Sequence, residues 1–166
     1  NGQLDQRKKN ATSIARTQNG PRTIPVVVHV IHNGTAEGVG TNIPLSQIEA
    51  QIRILNEDFQ RLNPDRFQTP EEFLPVAGAT DIEFILAKQD PNGLPTTGIN
   101  RVQGPKTVYT PGDATLIGQT ALWPPEDYMN IWVVPLVSPF IGYASFPISD
   151  LPGMNFPPNS RETDGV

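Results

Sequence analysis

The chain has 166 residues, a net charge of −5 at pH 7 and a sequence pI of about 4.9. This length allows one domain with a buried core, and the acidic balance argues against nucleic acid as a partner. No apolar run reaches the ~18 residues of a membrane span. Cysteine is absent, which excludes a disulfide framework and a thiolate zinc site.

The first 22 residues differ from the rest in charge. Residues 1–22 carry five basic side chains against the single acidic Asp5, a net charge of +4, which leaves −9 for the other 144 residues. They are polar and without periodicity, so we interpret them as a flexible basic arm or the remnant of a pro-segment. The first residue is Asn1 rather than Met, and we expect a processed chain. The folded part is expected to occupy residues 23–166.

Residues 46–62 predict a long amphipathic helix. Its apolar residues recur at spacings of three and four, in the order Ile48, Ile52, Leu55, Phe59 and Leu62. Ser46 and Glu49 fit a capping box at the start. Glu49 with Arg53 and Glu57 with Arg61 are opposite charges four residues apart. Such pairs are typical of the solvent-exposed side of a helix. The sequence Asn63-Pro64 predicts the end of the helix.

Strands are predicted on both sides of this helix. Residues 23–31 form a nearly continuous β-branched run, which is typical of a central strand buried on both faces. Residues 81–87 alternate between apolar and polar side chains, as a half-buried strand does, and a helical turn at 70–74 precedes them. The order strand, helix, strand is that of a βαβ unit. The sequence therefore predicts an α/β (α+β) fold with a mostly parallel sheet.

The second half predicts strands and ordered loops, because 12 of the 18 prolines lie after residue 90. Strands are expected at 98–102 and 128–134, with a long surface loop at 103–127. Residues 140–147 are strand-like with small residues in the middle, as in an edge strand. An extended peptide could add to such an edge through main-chain hydrogen bonds, although an ordinary edge strand explains the same pattern.

No catalytic or metal-binding set is visible in the residues themselves. His29 and His32 are three apart in a strand and point to opposite faces, so they cannot share a metal ion and are interpreted as structural. The sequence contains no HExxH, no GxSxG and no Walker motif. Residues 90–93, DPNG, are similar to the start of a calcium loop but lack the later ligands, which favours a plain turn.

Eight segments, in order, resemble the pappalysin/ulilysin family of metzincin zinc metalloproteases. They are IPVVVHVIH (24–32), QIxxQIxxLNEDF (47–59), DIEFxLA (81–87), DPNG (90–93), GINR (98–101), YMNIWVV (128–134), GYASFP (142–147) and DGV (164–166). The resemblance implies the upper subdomain of a metzincin catalytic domain. Such a subdomain has a twisted, mostly parallel sheet with an antiparallel edge strand, and 46–62 would be its long backing helix.

The resemblance also implies where the chemistry lies. The zinc-binding motif HExxHxxGxxH is expected beyond Val166, so none of the zinc ligands and no catalytic residue would belong to this chain, which alone is predicted to be inactive. Its partner would be the C-terminal half of the same domain. The edge strand would line the upper rim of the cleft, and the substrate-binding residues predicted there are Gly142, Tyr143, Ala144, Ser145 and Phe146.

The implied function is that of the N-terminal half of a secreted zinc-dependent metalloendopeptidase acting on proteins or peptides. Calcium binding and synthesis as a zymogen are further expectations from the resemblance. One alternative is a non-catalytic binding or adhesion module that keeps the fold without the metal. A soluble α/β domain of unknown role is the other, but it does not explain eight ordered segments.

Overall fold

One long strand organises the sheet in this computed structural model, which describes residues 20–145 and 160–166. Strand β1 (Arg22–His32) pairs in parallel with three others. These are β2 (Ile82–Leu86), β3 (Ile99–Gln103) and β4 (Met129–Val133). Residues 26–31 of β1 are all buried, which confirms the predicted central strand and extends it by one residue at each end.

The strands β2 and β3 follow one another along the same edge of β1. The carbonyl oxygen of Val26 accepts from Ala87 N–H at 2.8 Å, and Val28 N–H donates to the carbonyl oxygen of Gly98 at 2.9 Å. Successive residues of a strand direct their peptide groups to alternate edges, so Val26 and Val28 face the same one. Strand β4 pairs with residues 26–30 of β1, which overlap the positions that pair with β2 and β3. It therefore lies along the opposite edge of β1. The predicted mostly parallel α/β fold is confirmed.

A long helix, α1 (Leu45–Phe59), covers one face of the sheet and confirms the predicted backing helix. Its buried residues Ile48 and Ile52 join a core formed with four sheet residues, which are Val26, Val28, Val30 and Phe84. Phe59, in the last turn, packs edge to face on Phe84 with ring centroids 4.8 Å apart. The predicted apolar stripe of α1 therefore packs on the sheet.

The ends of α1 differ from the prediction. The helix begins one residue earlier, at Leu45, and no side-chain cap is formed by its N-cap residue, Pro44. Instead, Glu37 in the preceding loop accepts a hydrogen bond from Leu45 N–H at 3.2 Å through its Oε1 atom. The capping box of Ser46 and Glu49 was wrong, because Ser46 already lies inside the first turn.

The C-terminal end of α1 and its surface ion pairs also differ from the prediction. The helix ends at Phe59, and Leu62 is 59% exposed. Arg53 pairs with Glu57 at 2.6 Å rather than with Glu49. Arg61 leaves the helix with a positive φ of 53° and donates to the Ala77 carbonyl at 3.3 Å, so it does not pair with Glu57. A non-glycine residue with positive φ cannot continue a right-handed helix, which explains the early end.

The prediction of a surface loop at 103–127 was wrong, because this segment packs on the other face of the sheet. It contains a 3₁₀ turn at Pro111–Asp113 and a short helix, α2 (Ala114–Thr120). Ile117 of α2 forms a second core with Ile31 and the completely buried Tyr109. The local start signal was present in the sequence, since Thr110 and Asp113 form a capping box.

Other short elements complete the description. A 3₁₀ helix at Glu71–Val76 confirms the helical turn predicted at 70–74. The predicted basic arm lies outside the described residues up to position 19, whereas Arg22 already belongs to β1. Among the described helices, none is long and apolar enough to cross a membrane.

Candidate functional site

The segment predicted to bind substrate lies at the outer edge of the sheet beyond β4. Val166 N–H donates to the carbonyl oxygen of Asn130 at 3.1 Å, and Trp132 N–H donates to that of Val166 at 2.8 Å. This alternation is the pattern of a parallel pair, so Val166 pairs with β4 as a residue of a further parallel strand would. On the far side, Ser145 N–H donates to the carbonyl oxygen of Gly165 at 3.1 Å. The order outward from β1 is therefore β4, then 164–166, then Ser145.

The edge strand itself is described only in part. No strand is assigned to residues 140–145, and the remainder of the predicted strand, including Phe146, lies outside the described residues. The described part begins with a turn in which Phe140 N–H donates to the carbonyl oxygen of Val137 at 3.0 Å, so it reaches the sheet only at Ser145. Antiparallel pairing over 142–147 stays a prediction.

A groove of about 460 Å³ lies next to this edge. One wall comes from α1, including Ile48 and Ile52, and the floor from the sheet, including Ile131 and Val133. Three of the predicted substrate-binding residues line it, namely Gly142, Tyr143 and Ser145. Ala144 is exposed and is not among the lining residues. Three of the four described residues of the predicted set thus line one groove, and Ala144 does not.

Tyr143 is the one ionisable side chain among these predicted residues. Burial raises the pKa of its phenol above the ordinary value, and the negative charge of Asp113 raises it further. The phenol is therefore neutral at physiological pH and can donate or accept a hydrogen bond in the groove.

The segment is attached to the second core at its base. Tyr109 N–H donates to the carbonyl oxygen of Pro135 at 2.8 Å, and Val137 N–H donates to that of Tyr109 at 2.8 Å. These bonds continue the ladder of β4 by one parallel bridge, between Tyr109 and Leu136. Gly104 allows this packing, because a Cβ there would overlap the Tyr109 hydroxyl group. Tyr109 therefore fixes the chain just before the candidate site.

Residues 160–166 are held on α2 by a close backbone contact. A Cβ at Gly118 would overlap the carbonyl oxygen of Glu162, so only glycine fits at this point of the helix. Arg161 adds a two-pronged ion pair with Glu126, with both N···O distances at 2.9 Å. Burial raises the pKa of Asp164, and the charge of Glu126 adds to this effect. These contacts place the 164–166 segment between β4 and Ser145.

His29 is held in a buried network that confirms its structural interpretation. Asn130 accepts from Trp123 N–H through Oδ1 and donates to the Trp123 carbonyl oxygen through Nδ2, both at 3.0 Å, which fixes its amide orientation. The same Oδ1 lies 2.9 Å from His29 Nε2, so that nitrogen carries the proton. His29 Nδ1 then accepts from Asn100 Nδ2 at 3.1 Å. Burial lowers the pKa of His29 below its ordinary value, and the bond to Asn130 partly opposes this.

The described residues do not fit a zinc ion. Both ring nitrogens of His29 are engaged, and His32 Nδ1 accepts from Gly34 N–H at 3.0 Å. Within 20–145 and 160–166, no group of three or more His, Cys, Asp or Glu side chains is placed to hold a metal ion. In the DPNG segment, Asp90 Oδ1 accepts from the N–H groups of Asn92 and Leu94, both at 2.9 Å, as in a plain turn.

Sequence reasoning missed the residues that support the site from behind. Tyr109 and Gly118 lie in the segment taken for a surface loop, and neither belongs to a periodic apolar pattern. The spacing Thr110-x-x-Asp113 was the available signal, since it marks a helix start.

Three solved structures that are similar to this chain are all forms of mirolysin. No family model matches the chain, and no match was found among curated proteins. Among solved structures, mirolysin in complex with compound 9 is 41% identical with a TM-score of 0.68, over 78% of this chain and 48% of that one. Mature mirolysin of Tannerella forsythia in complex with a cleaved peptide is 40% identical with a TM-score of 0.70, over the same shares.

A third solved structure is that of a pro-form. A promirolysin mutant of Tannerella forsythia is 36% identical with a TM-score of 0.64, over 87% of this chain and 47% of that one. The chain spans about half the length of the mirolysin chains that it matches. It is therefore similar to mirolysin, a metzincin-type, ulilysin-like protease, over about half of that protein, and it has a metzincin-like protease fold.

Proposed function

We propose that this chain is the N-terminal, substrate-binding part of the catalytic domain of a zinc-dependent metalloendopeptidase that hydrolyses peptide bonds in proteins. The observation that carries the proposal is the order of the sheet edge, in which Ser145 follows 164–166 beyond β4. The likeness to mirolysin at 40% identity supports it, because one of those structures holds a cleaved peptide.

The proposed binding mode follows from the direction of the backbone groups. Ser145 N–H faces the sheet, where it donates to Gly165. In an extended chain the neighbouring residues direct their peptide groups the opposite way, so those of Ala144 would face outward. An extended peptide could then pair with Ala144 and Phe146 by strand addition. The small side chains of Gly142 and Ala144 would leave that edge accessible, and Tyr143 would reach the groove.

The zinc ion and the catalytic groups are proposed to lie in the remainder of the complete protein. This placement is supported by the hydrogen bonds that occupy both ring nitrogens of His29 and the Nδ1 atom of His32. The partner of this chain would be the C-terminal half of the same domain. The groove of about 460 Å³ between α1 and β4 supports this, since an apolar surface of that kind is normally covered in a folded domain.

We further propose that the complete protein is secreted, as a zymogen, and that the residues ahead of β1, 1–21, are the remnant of its pro-segment. Residues 1–21 carry four basic side chains against Asp5, a net charge of +3, which leaves −8 for the remainder and supports a separate origin for them. The similarity to a promirolysin structure is compatible with this proposal. Calcium binding is a proposal for the complete protein only, because Asp90 Oδ1 already accepts two backbone hydrogen bonds.

Casein and peptide hydrolysis tests the proposal. The complete protein should cleave both, should lose activity on treatment with a chelator and should regain it with added zinc. Residues 1–166 alone, with added zinc, should show no turnover. Zinc-dependent turnover by this fragment would place the catalytic set inside the chain. A complete protein that binds peptides without cleaving them would favour the alternative, a non-catalytic binding module.

A further inference from the structure

Asn56, on α1, makes an unusual pair of hydrogen bonds with a strand. Its Nδ2 donates to the carbonyl oxygen of Phe84 at 2.8 Å, and Phe84 N–H donates to its Oδ1 at 2.7 Å. One side-chain amide therefore satisfies both backbone groups of one residue of β2. This is the bonding that a residue of a neighbouring strand would provide.

The two groups that Asn56 binds belong to the outer edge of the sheet. Arg22 N–H donates to the carbonyl oxygen of Asp81 at 2.6 Å, and Ala87 N–H donates to that of Val26 at 2.8 Å. The odd-numbered residues of this segment thus face β1, and Phe84 faces the opposite way. Phe84 lies in the middle of β2, so its backbone groups are at the centre of this edge.

The edge is also accessible to another chain. A shallow groove of about 530 Å³ lies between α1 and β2, and Asn56, Phe84 and Leu86 are among the residues that line it. An unpaired strand edge in such a groove is a template for pairing with a second molecule. Natural edges are often protected by charged side chains or proline. Here the N–H and carbonyl groups at the centre of the edge are instead hydrogen-bonded by one side chain.

Within residues 20–145 and 160–166, β2 pairs with β1 alone. We propose that Asn56 acts there as a substitute for one residue of a neighbouring strand, and that it closes the outer edge of β2 against pairing with another chain. The inference does not depend on the proposed protease function, because it concerns the edge opposite to the candidate substrate-binding segment. It predicts that the amide of Asn56, and not its size or polarity, is what prevents association.

Substitutions at Asn56 separate the two hydrogen bonds. Asn56→Leu removes both, and Asn56→Asp keeps only the acceptor for Phe84 N–H. In the complete protein, Asn56→Leu should accelerate hydrogen exchange of the Phe84 amide on the order of tenfold or more, because that N–H loses its partner. Asn56→Asp should protect this amide less than asparagine and more than leucine, because its second carboxylate oxygen is repelled by the Phe84 carbonyl oxygen. If Asn56→Leu does not fold, Asn56→Ala, which also removes both hydrogen bonds, decides, since a Phe84 amide that stays protected in it would overturn the assignment.

Association is measured on the same variants by light scattering during gel filtration. Asn56→Leu should form larger species in a concentration-dependent way, at concentrations where the unsubstituted protein does not change. Ile52→Val, on the same helix but in the core, is the control for general destabilisation. Asn56→Leu that remains the size of the unsubstituted protein would overturn the proposal. So would equal association of Ile52→Val at matched stability.

Discussion

The two faces of β1 are packed in different ways. Under α1, the core consists of aliphatic and aromatic side chains such as Val28, Ile52 and Phe84. On the opposite face, Ile31 and Tyr109 are joined by the buried polar residues His29 and Asn130. The first face is held by burial of apolar area, which is non-directional. The second depends on directed hydrogen bonds and on backbone contacts that only glycine permits.

The candidate site depends mainly on the second face. Residues 135–137, which lead to the candidate substrate-binding segment, are bonded to Tyr109 on the second face. Residues 160–166, which place that segment, pack on α2 from the same side. Small changes on the second face should therefore cost more stability, and disturb the site more, than changes of similar size under α1.

The largest expected effect is at Tyr109. Tyr109→Ala should lower the free energy of unfolding by about 3–5 kcal/mol, because a fully buried aromatic ring is removed. Tyr109→Phe should cost far less, since among the described residues its hydroxyl group takes part in one long hydrogen bond, 3.4 Å from Lys106 N–H. Chemical denaturation of both variants measures this. Equal losses would show that the hydroxyl group, not the ring, supports this face.

A smaller effect is expected at Gly118. Gly118→Ala should cost about 1–3 kcal/mol, because the new Cβ would overlap the Glu162 carbonyl oxygen. Gly112→Ala is the matched control, as its new Cβ would meet Thr110 Oγ1 at an ordinary 3.5 Å. Thermal unfolding compares the two. If Gly118→Ala is as stable as the control, the contact between α2 and 160–163 is not as close as described.

A further difference between the two faces is expected in acid. The pKa of His29 is lowered by burial, so the unfolded chain binds the proton more readily than the folded one. The stability from a neutral His29 is therefore present above its ordinary pKa of 6.5 and is lost as the pH falls below it. The groups that face it are neutral, namely Asn100, Asn130, Trp123 and Trp132.

Denaturation between pH 4 and 8 tests this expectation. His29→Gln should flatten the loss of stability below pH 6.5, even if that variant is less stable at pH 8. An unchanged slope in the variant would mean that other groups, such as paired carboxylates, cause the acid sensitivity.

The smallest expected effect concerns the start of α1. Glu37→Ala should cost about 1 kcal/mol, because Leu45 N–H loses its capping partner and Arg101 loses an ion pair of 2.7 Å. Ser46→Ala should change stability by less than about 0.5 kcal/mol, since Ser46 is not the N-cap residue. Thermal unfolding of both decides between the observed cap and the one suggested by the sequence. A larger loss of stability in Ser46→Ala than in Glu37→Ala would show that Ser46 caps the helix after all.

The sequence predicted the first face well, because its signal is carried by long periodic elements. The β-branched run of β1 and the apolar spacing of α1 each identify the residues that their own element contributes to the core. Exact caps were not predictable, since Glu37 is brought to Leu45 only by the fold of the intervening loop. The same holds for Asn56, whose position in a helix says nothing of the strand edge that it reaches.

The second face was missed because its burial does not follow from periodicity. Tyr109 is isolated among glycine, proline and threonine residues, and α2 has only seven residues. For the candidate site, the resemblance named the residues and the structure placed Gly142, Tyr143 and Ser145 at one groove. Their role in binding substrate stays a prediction.

The most direct test of that role is the steady-state kinetics of two variants at Ala144 in the complete protein. Ala144→Pro removes the N–H group expected to face outward, whereas Ala144→Gly keeps it. With folding intact, the proline variant should raise KM or lower kcat so that kcat/KM for an extended peptide falls about tenfold, as expected for a lost main-chain hydrogen bond of ~1–3 kcal/mol. The glycine variant should change kcat/KM by less than about threefold. Unchanged kinetics in the proline variant would contradict the account, because this edge would then not hold the substrate.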